Sequence, residues 1–262
     1  MSTNTAQKPV EKAKDAVQQA TRDEVASARL RRERTALFQV ALIGAIAAFA
    51  MLTVLVRMSP VLDLDVQITQ AVQTINAPGF DALMRVVSWW GFPPQSFIFT
   101  ALIALLIFSL GLKWEAAATI AAAVFSAGLN NFIKLAIRRP RPTANLVHVI
   151  SNLKSYSFPS GHVMYYVSFF GFLWFLTYTL LKPSVKRTIL LVLFSIPILL
   201  VGISRIYLGQ HWASDVLGAY LLGSLALAIS IVFYRWGRKR FTWSQPVAPH
   251  QPAEDPEAGS AK

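Results

Sequence analysis

The chain is 262 residues long, lacks cysteine, is 54% hydrophobic and carries a formal charge of +12. Without thiols it has no disulfides, no thiolate nucleophile and no cysteine metal site. Its apolar residues fall in long runs, with a mean hydropathy of +0.46. That is a membrane protein's composition, so the positive charge is read as membrane topology and no nucleic-acid partner is expected.

Residues 1–35 are polar and charged and lack the short apolar core of a cleaved signal peptide. They read as a cytoplasmic tail, either a surface helix or a solvated segment. About 20 apolar residues at 1.5 Å each span a bilayer core. Six segments qualify: 36–56, 95–112, 115–137, 162–181, 187–204 and 212–234. The first is expected to act as an uncleaved insertion signal. The second is closely bracketed by Pro94 and Lys113, and Pro197 interrupts the fifth.

Between the first two, segment 61–93 shows helical apolar spacing at Val66, Ile68, Val72 and Ile75, a break at Ala77, Pro78 and Gly79, and a second short helix over Asp81 to Trp90. Trp89 and Trp90 suit the lipid–water boundary. The segment is expected to lie along the outer interface, where it packs passively or helps admit a lipid. After Arg240 the chain is rich in Pro, Ala and acidic residues and reads as a flexible end. The resulting division is a tail at 1–35, a membrane domain at 36–240 and a second tail at 241–262. The fold class is all-α, a polytopic six-transmembrane-helix bundle with its active site at the outer membrane–water interface.

With both termini cytoplasmic, 17 of the 25 Lys and Arg residues fall on the inner side. Three clusters then share the outer face: KLAIRRPRP at 134–142, PSGH at 159–162, and SRIYLGQHWASD at 204–215. Charged groups at membrane depth are costly and mark function. In the first cluster, Lys134 and Arg138 are expected one helical turn apart on one face, with Arg141 following and Pro140 and Pro142 stopping the helix. Arg139 is expected on another face, in a structural role. Arginine grips phosphate bidentately and lysine supplies a point charge, although basic residues also anchor span ends to headgroups.

In the second cluster, Ser160 is placed to cap a helix, Gly161 permits close approach to the backbone, and the helix N-terminus favours an anion facing His162. In the third, His211 and Asp215 stand four residues apart. The carboxylate can then accept from one ring nitrogen and leave the other free to attack, although the same pair can simply stabilise a helix end. Arg205 reaches the same pocket. His148 and His250 are assigned no role. Of 13 acidic residues, those outside the tails are Asp63, Asp65, Asp81, Glu115 and Asp215, and only Asp215 belongs to a cluster. No metal site or cofactor is expected from this supply.

Taken in order, these motifs resemble those of the type-2 phosphatidic acid phosphatase superfamily. They are Lys134 with six residues to Arg141-Pro142, then PSGH, then Ser204-Arg205 with five residues to His211 and three to Asp215. The resemblance implies that His211 attacks phosphorus to form a phosphohistidine, that Asp215 orients it, and that His162 protonates the leaving oxygen and later assists water. It implies that Lys134, Arg141, Arg205, Ser160 and Gly161 hold the phosphate oxygens without a metal. The expected activity is hydrolysis of a lipid phosphate at the outer face of the cytoplasmic membrane, the lipid chain approaching laterally between spans. Candidate substrates are phosphatidic acid, phosphatidylglycerol phosphate and undecaprenyl diphosphate. The weighed alternatives are a phosphotransferase, a relative of the soluble vanadium haloperoxidases, and a phosphate-lipid transporter, for which spans four to six carry few polar residues. The sequence does not choose the lipid or the oligomeric state.

Overall fold

The computed structural model of the protein describes the backbone of residues 7–241 other than residue 152, and side chains from Arg32 onward apart from Arg34 and Phe241. His250 therefore lies outside the described residues. These residues form eight helices and no strand: α1 (Gln7–Met58), α2 (Asp63–Gln73), α3 (Phe80–Trp89), α4 (Gln95–Ser109), α5 (Lys113–Ile137), α6 (Gly161–Leu180), α7 (Val185–Tyr207) and α8 (Ala213–Phe241). The backbone of α1 is helical from Gln7 straight through the boundary expected at residue 35.

Five stretches are long and apolar enough to cross a membrane: Thr35–Met58, Lys113–Ile137, Gly161–Leu180, Val185–Tyr207 and Ala213–Arg240. The segment expected as the second span forms only the 15-residue α4. At 1.5 Å per residue, that is roughly 22 Å against a hydrocarbon core of about 30 Å. It ends where Gly111 adopts φ +83° and turns the chain into α5. Pro197 does not divide the fifth segment, since α7 runs unbroken from Val185 to Tyr207.

Helix α6 is apolar all round, which suits a central position rather than a lipid-facing one. Its Val163, Met164, Tyr166, Val167, Phe169 and Phe170 are buried with Val201 of α7 and with Val216, Ala219 and Leu222 of α8. By contrast, α1, α4 and α5 turn large apolar side chains outward, among them Leu37, Ile43, Phe97, Leu102, Val124 and Phe132. In lipid such a surface needs no cover, and packing between helices depends on close approach at small residues. Gly202 of α7 is one such contact: a Cβ there would lie 2.8 Å from Val216 Cγ1 and from the Tyr220 hydroxyl. That hydroxyl donates to Ile198 O at 2.6 Å, pinning α8 to α7.

The alternating run of α5, α6, α7 and α8 gathers the end of α5, the start of α6, the end of α7 and the start of α8 at one end of the bundle. The short helices α2 and α3 lie against that same end. There Ser204 donates to Met84 O of α3 at 2.6 Å, and the Tyr166 hydroxyl donates to Val87 O. Replacing Gly202 by valine is expected to overpack the α7–α8 contact, destabilising the protein by about 1–3 kcal/mol. Thermal unfolding in detergent should show a lower midpoint, and an unchanged midpoint would contradict this packing.

Candidate active site

The sequence-predicted residues converge at that end. Lys134 comes from the last turn of α5, Arg141 from the segment after it, Ser160, Gly161 and His162 from the start of α6, Arg205 from the end of α7, and His211 and Asp215 from the turn into α8. His162, Arg205, His211 and Asp215 are buried, as are Lys134 and Ser160. Lys134, Arg141, Gly161, His162, Arg205 and His211 line one cavity of about 840 Å³.

Helix α5 stops one residue earlier than a shared Lys134–Arg138 face requires. Arg138 is the C-cap in the left-handed region at φ +55°, its N–H bonded to Lys134 O. Its side chain turns out to solvent and donates to Leu135 O at 3.0 Å. The reversal swings Arg139 inward instead, so Arg139, expected on another face of the helix, is fully buried at the site end. It donates to Asp65 Oδ2 at 2.7 Å and to Asp215 Oδ1 at 2.6 Å. Asp65, which had seemed unclustered in sequence, thus joins Asp215 from α2, 150 residues away in sequence.

The other three cations have no carboxylate partner among the described residues. Lys134 Nζ donates to Tyr156 O at 2.7 Å and Ser157 O at 3.2 Å. Arg141 donates to Ser155 O at 2.7 Å and Gln210 O at 2.6 Å, and its Nη1 lies 3.3 Å from His211 Nε2. Arg205 donates through Nη1 to the Ser88 hydroxyl and lies 5.1 Å over the Phe92 ring. Its Nε and Nη2 are buried and unpartnered, as are Ser160 Oγ and His162 Nε2. Ser160 occupies the N-cap position of α6 without bonding the helix through its side chain, which leaves its hydroxyl buried and unpartnered beside the cavity-lining Gly161 and His162. Four cations therefore face two carboxylates, leaving two positive charges over. Burying ions costs on the order of several kcal/mol each unless they are compensated, so the arrangement favours an anionic ligand.

His211 precedes α8, and its Nδ1 is 3.4 Å from Asp215 Oδ2, beyond hydrogen-bond length. The expected bond from the ring to the carboxylate is not formed. Asp215 Oδ2 accepts instead from the Ser157 hydroxyl and, at 2.9 Å, from Trp212 N–H. Burial first, then the positive charges of Arg141, Lys134 and Arg205, push the His211 imidazole well below its ordinary 6.5, which favours the neutral ring. No set of three or more His, Asp or Glu able to hold a metal ion occurs among the described residues.

Several contributors lay outside the three motifs. Asn130 of α5 donates to Pro159 O at 3.1 Å, fixing the PSGH turn. Phe92 meets the His162 ring edge-on, with centroids 4.4 Å apart, and Ser88 holds Arg205. The C-terminal end of segment 61–93 therefore forms part of the cavity wall through Gly91, Phe92 and Pro93, a contribution its hydropathy pattern did not signal. Away from the polar end, the cavity continues between α4 and α5 along Phe97, Ala101, Ile120, Ala123, Val124 and Ala127.

A family model for the PAP2 superfamily matches residues 112–241. The chain is 30% identical over 179 residues to phosphatidylglycerophosphatase B of Bacillus subtilis, covering 68% of this chain and 86% of that protein. It is 37% identical over 90 residues to phosphatidylglycerophosphatase B of Haemophilus influenzae, covering 34% of this chain and 37% of that one. The crystal structure of a transmembrane PAP2-type phosphatidylglycerolphosphate phosphatase from Bacillus subtilis superposes with a TM-score of 0.66 at 26% identity, covering 74% of this chain and 96% of that one.

At pH 6.5 an ordinary histidine is half protonated, whereas a depressed value keeps His211 neutral down to lower pH. A ¹⁵N NMR titration of imidazole-labelled protein in detergent, assigned with His211→Gln, should find its midpoint below 6.5. A midpoint at or above 6.5 would contradict the electrostatic reading.

Proposed function

The chain belongs to the PAP2 superfamily and is a multi-pass membrane lipid phosphatase, and from that premise we infer the chemistry and substrate handling that its site supports. The carrying observation is the group of three cations, Lys134, Arg141 and Arg205, that have no carboxylate partner among the described residues and line one cavity with His162 and His211. Such a cage suits the three non-bridging oxygens of a phosphate ester and the charge that builds on them during transfer.

In this reading Nε2 of neutral His211 attacks phosphorus in line. A P–N bond forms as the P–O bond to the lipid breaks, and His162 gives its proton to the departing oxygen. His162 then takes a proton from water, which attacks the phosphohistidine and releases inorganic phosphate. Asp215 faces Nδ1 and stabilises the positive charge the ring gains on attack. Arg141 first holds Nε2 and then passes to a phosphate oxygen. Ser160 Oγ and the Gly161 N–H, at the positive end of α6, add donors. Charge compensation comes from Lys and Arg, so no metal enters any step.

The substrate is a lipid phosphate with its headgroup at the polar end of the cavity and its chain in the apolar arm between α4 and α5, which opens towards lipid. The relatives named for phosphatidylglycerophosphate favour that substrate over phosphatidic acid and undecaprenyl diphosphate. For topology we infer six spans, with the short α4 as the sixth, in the cytoplasmic membrane, with both termini inside and the site outside, following the bias of Lys and Arg.

Phosphate release from a panel of lipid phosphates in detergent tests this directly. The wild type should act on at least one lipid with EDTA present, His211→Ala should be inactive, and Asp215→Asn should turn over about 10² to 10⁴-fold more slowly. Activity abolished by EDTA, or retained by His211→Ala, would overturn the mechanism.

A further inference from the structure

Arg139 lies two residues before the cavity-lining Arg141 but does not itself line the cavity, and its side chain has no exposure. Its Nε donates to Pro60 O at 2.8 Å and its Nη1 to Ser214 Oγ at 2.7 Å as well as to Asp215 Oδ1. Its Nη2 donates to Asp65 Oδ2. Asp65 is held on its own side by the Ser214 N–H at 2.8 Å and the Ser214 hydroxyl at 2.6 Å. One guanidinium thus stands between two buried carboxylates, one on α2 and one on α8.

The consequence for the site follows from the shape of a carboxylate. Asp215 is planar, so fixing Oδ1 fixes the direction of Oδ2, the oxygen that faces His211 Nδ1 at 3.4 Å. The hydroxyl of Ser157 and the N–H of Trp212 hold Oδ2 at one end of the carboxylate, and Arg139 holds Oδ1 at the other. A lysine would supply the charge at a point and could not span both carboxylates in a fixed plane.

We propose that Arg139 is a positioning residue of the His211–Asp215 pair, holding the carboxylate plane through Oδ1 opposite the donors on Oδ2, while its other arm ties that alignment to Asp65 on α2. The proposal rests on the phosphatase reading above. It differs from a plain structural ion pair, whose loss would remove folded, ligand-binding protein in step with activity.

The test compares wild type, Arg139→Lys, Arg139→Gln, Asp215→Asn and the Arg139→Gln/Asp215→Asn double variant as full-length protein in detergent. It measures kcat and KM on a lipid phosphate, affinity for inorganic phosphate, and the ¹⁵N ring signals of His211. Arg139→Gln should lower kcat by about 10²-fold, with KM and phosphate affinity within about threefold of wild type because the cage cations are untouched. Arg139→Lys should recover part of the rate, and the double variant should be no slower than Asp215→Asn alone. A kcat near wild type, losses that multiply in the double variant, or phosphate binding lost in proportion to activity would each overturn the proposal. If Arg139→Gln does not fold, Arg139→Lys decides alone by the same split between rate and binding. If the wild type hydrolyses no lipid phosphate, the phosphatase reading fails by itself. The ring signals then decide: altered His211 signals in Arg139→Lys support the positioning role, and unaltered ones refute it.

Discussion

Lys134, Arg141 and Arg205 stand together at the end of a helical bundle with carbonyls, hydroxyls and an aromatic face as partners but no carboxylate among the described residues. In a protein of low acidic content this arrangement is held against mutual repulsion and desolvation, and the rest of the site can be read as the means of holding it. Carbonyls of the 155–157 loop and of Gln210 turn their negative ends to Lys134 and Arg141. Ser88 and Phe92 do the same for the buried Arg205. A dianion entering the cavity supplies the missing charge, which is why a phosphate ester suits it better than any neutral ligand.

The bundle's topology makes the convergence inexpensive. Four antiparallel helices in succession bring two C-terminal ends and two N-terminal ends together, so residues from 134 to 215 meet, and the long connection 138–160 between α5 and α6 stays at that same end. The N-terminal end of α6 adds a partial positive charge to the same spot. Helices α2 and α3 close that end of the bundle, and α2 brings Asp65 to Arg139. Arg139 is neutralised by two carboxylates, whereas Arg141, two residues on, has none among the described residues.

Much of this was legible in the sequence because the site residues sit in short runs with fixed spacings at the ends of apolar segments. What escaped depended on backbone turns that spacing does not reveal. The left-handed turn at Arg138 exchanged the fates of two adjacent arginines, exposing one and burying the other. Asp65 carried no local signal, since its partner lies 74 residues on, and Asn130, Ser157 and Ser88 are ordinary polar residues until the fold sets them against the motifs. Segment 61–93 was correctly seen as two short helices, yet amphipathic spacing does not say that Phe92 will press on His162. The short α4 looked like a full span because Leu110 and Leu112 extend its apolar run past the turn at Gly111.

The most direct test of the uncompensated cage is thermal unfolding in detergent with and without inorganic phosphate, for wild type and Arg205→Met. Ligand that binds only the folded state raises its midpoint, so phosphate should stabilise the wild type and do much less for the variant, while the variant without phosphate should unfold no earlier than wild type because a buried, unpaired charge is gone. Equal stabilisation of both proteins by phosphate, or none of the wild type, would contradict the account.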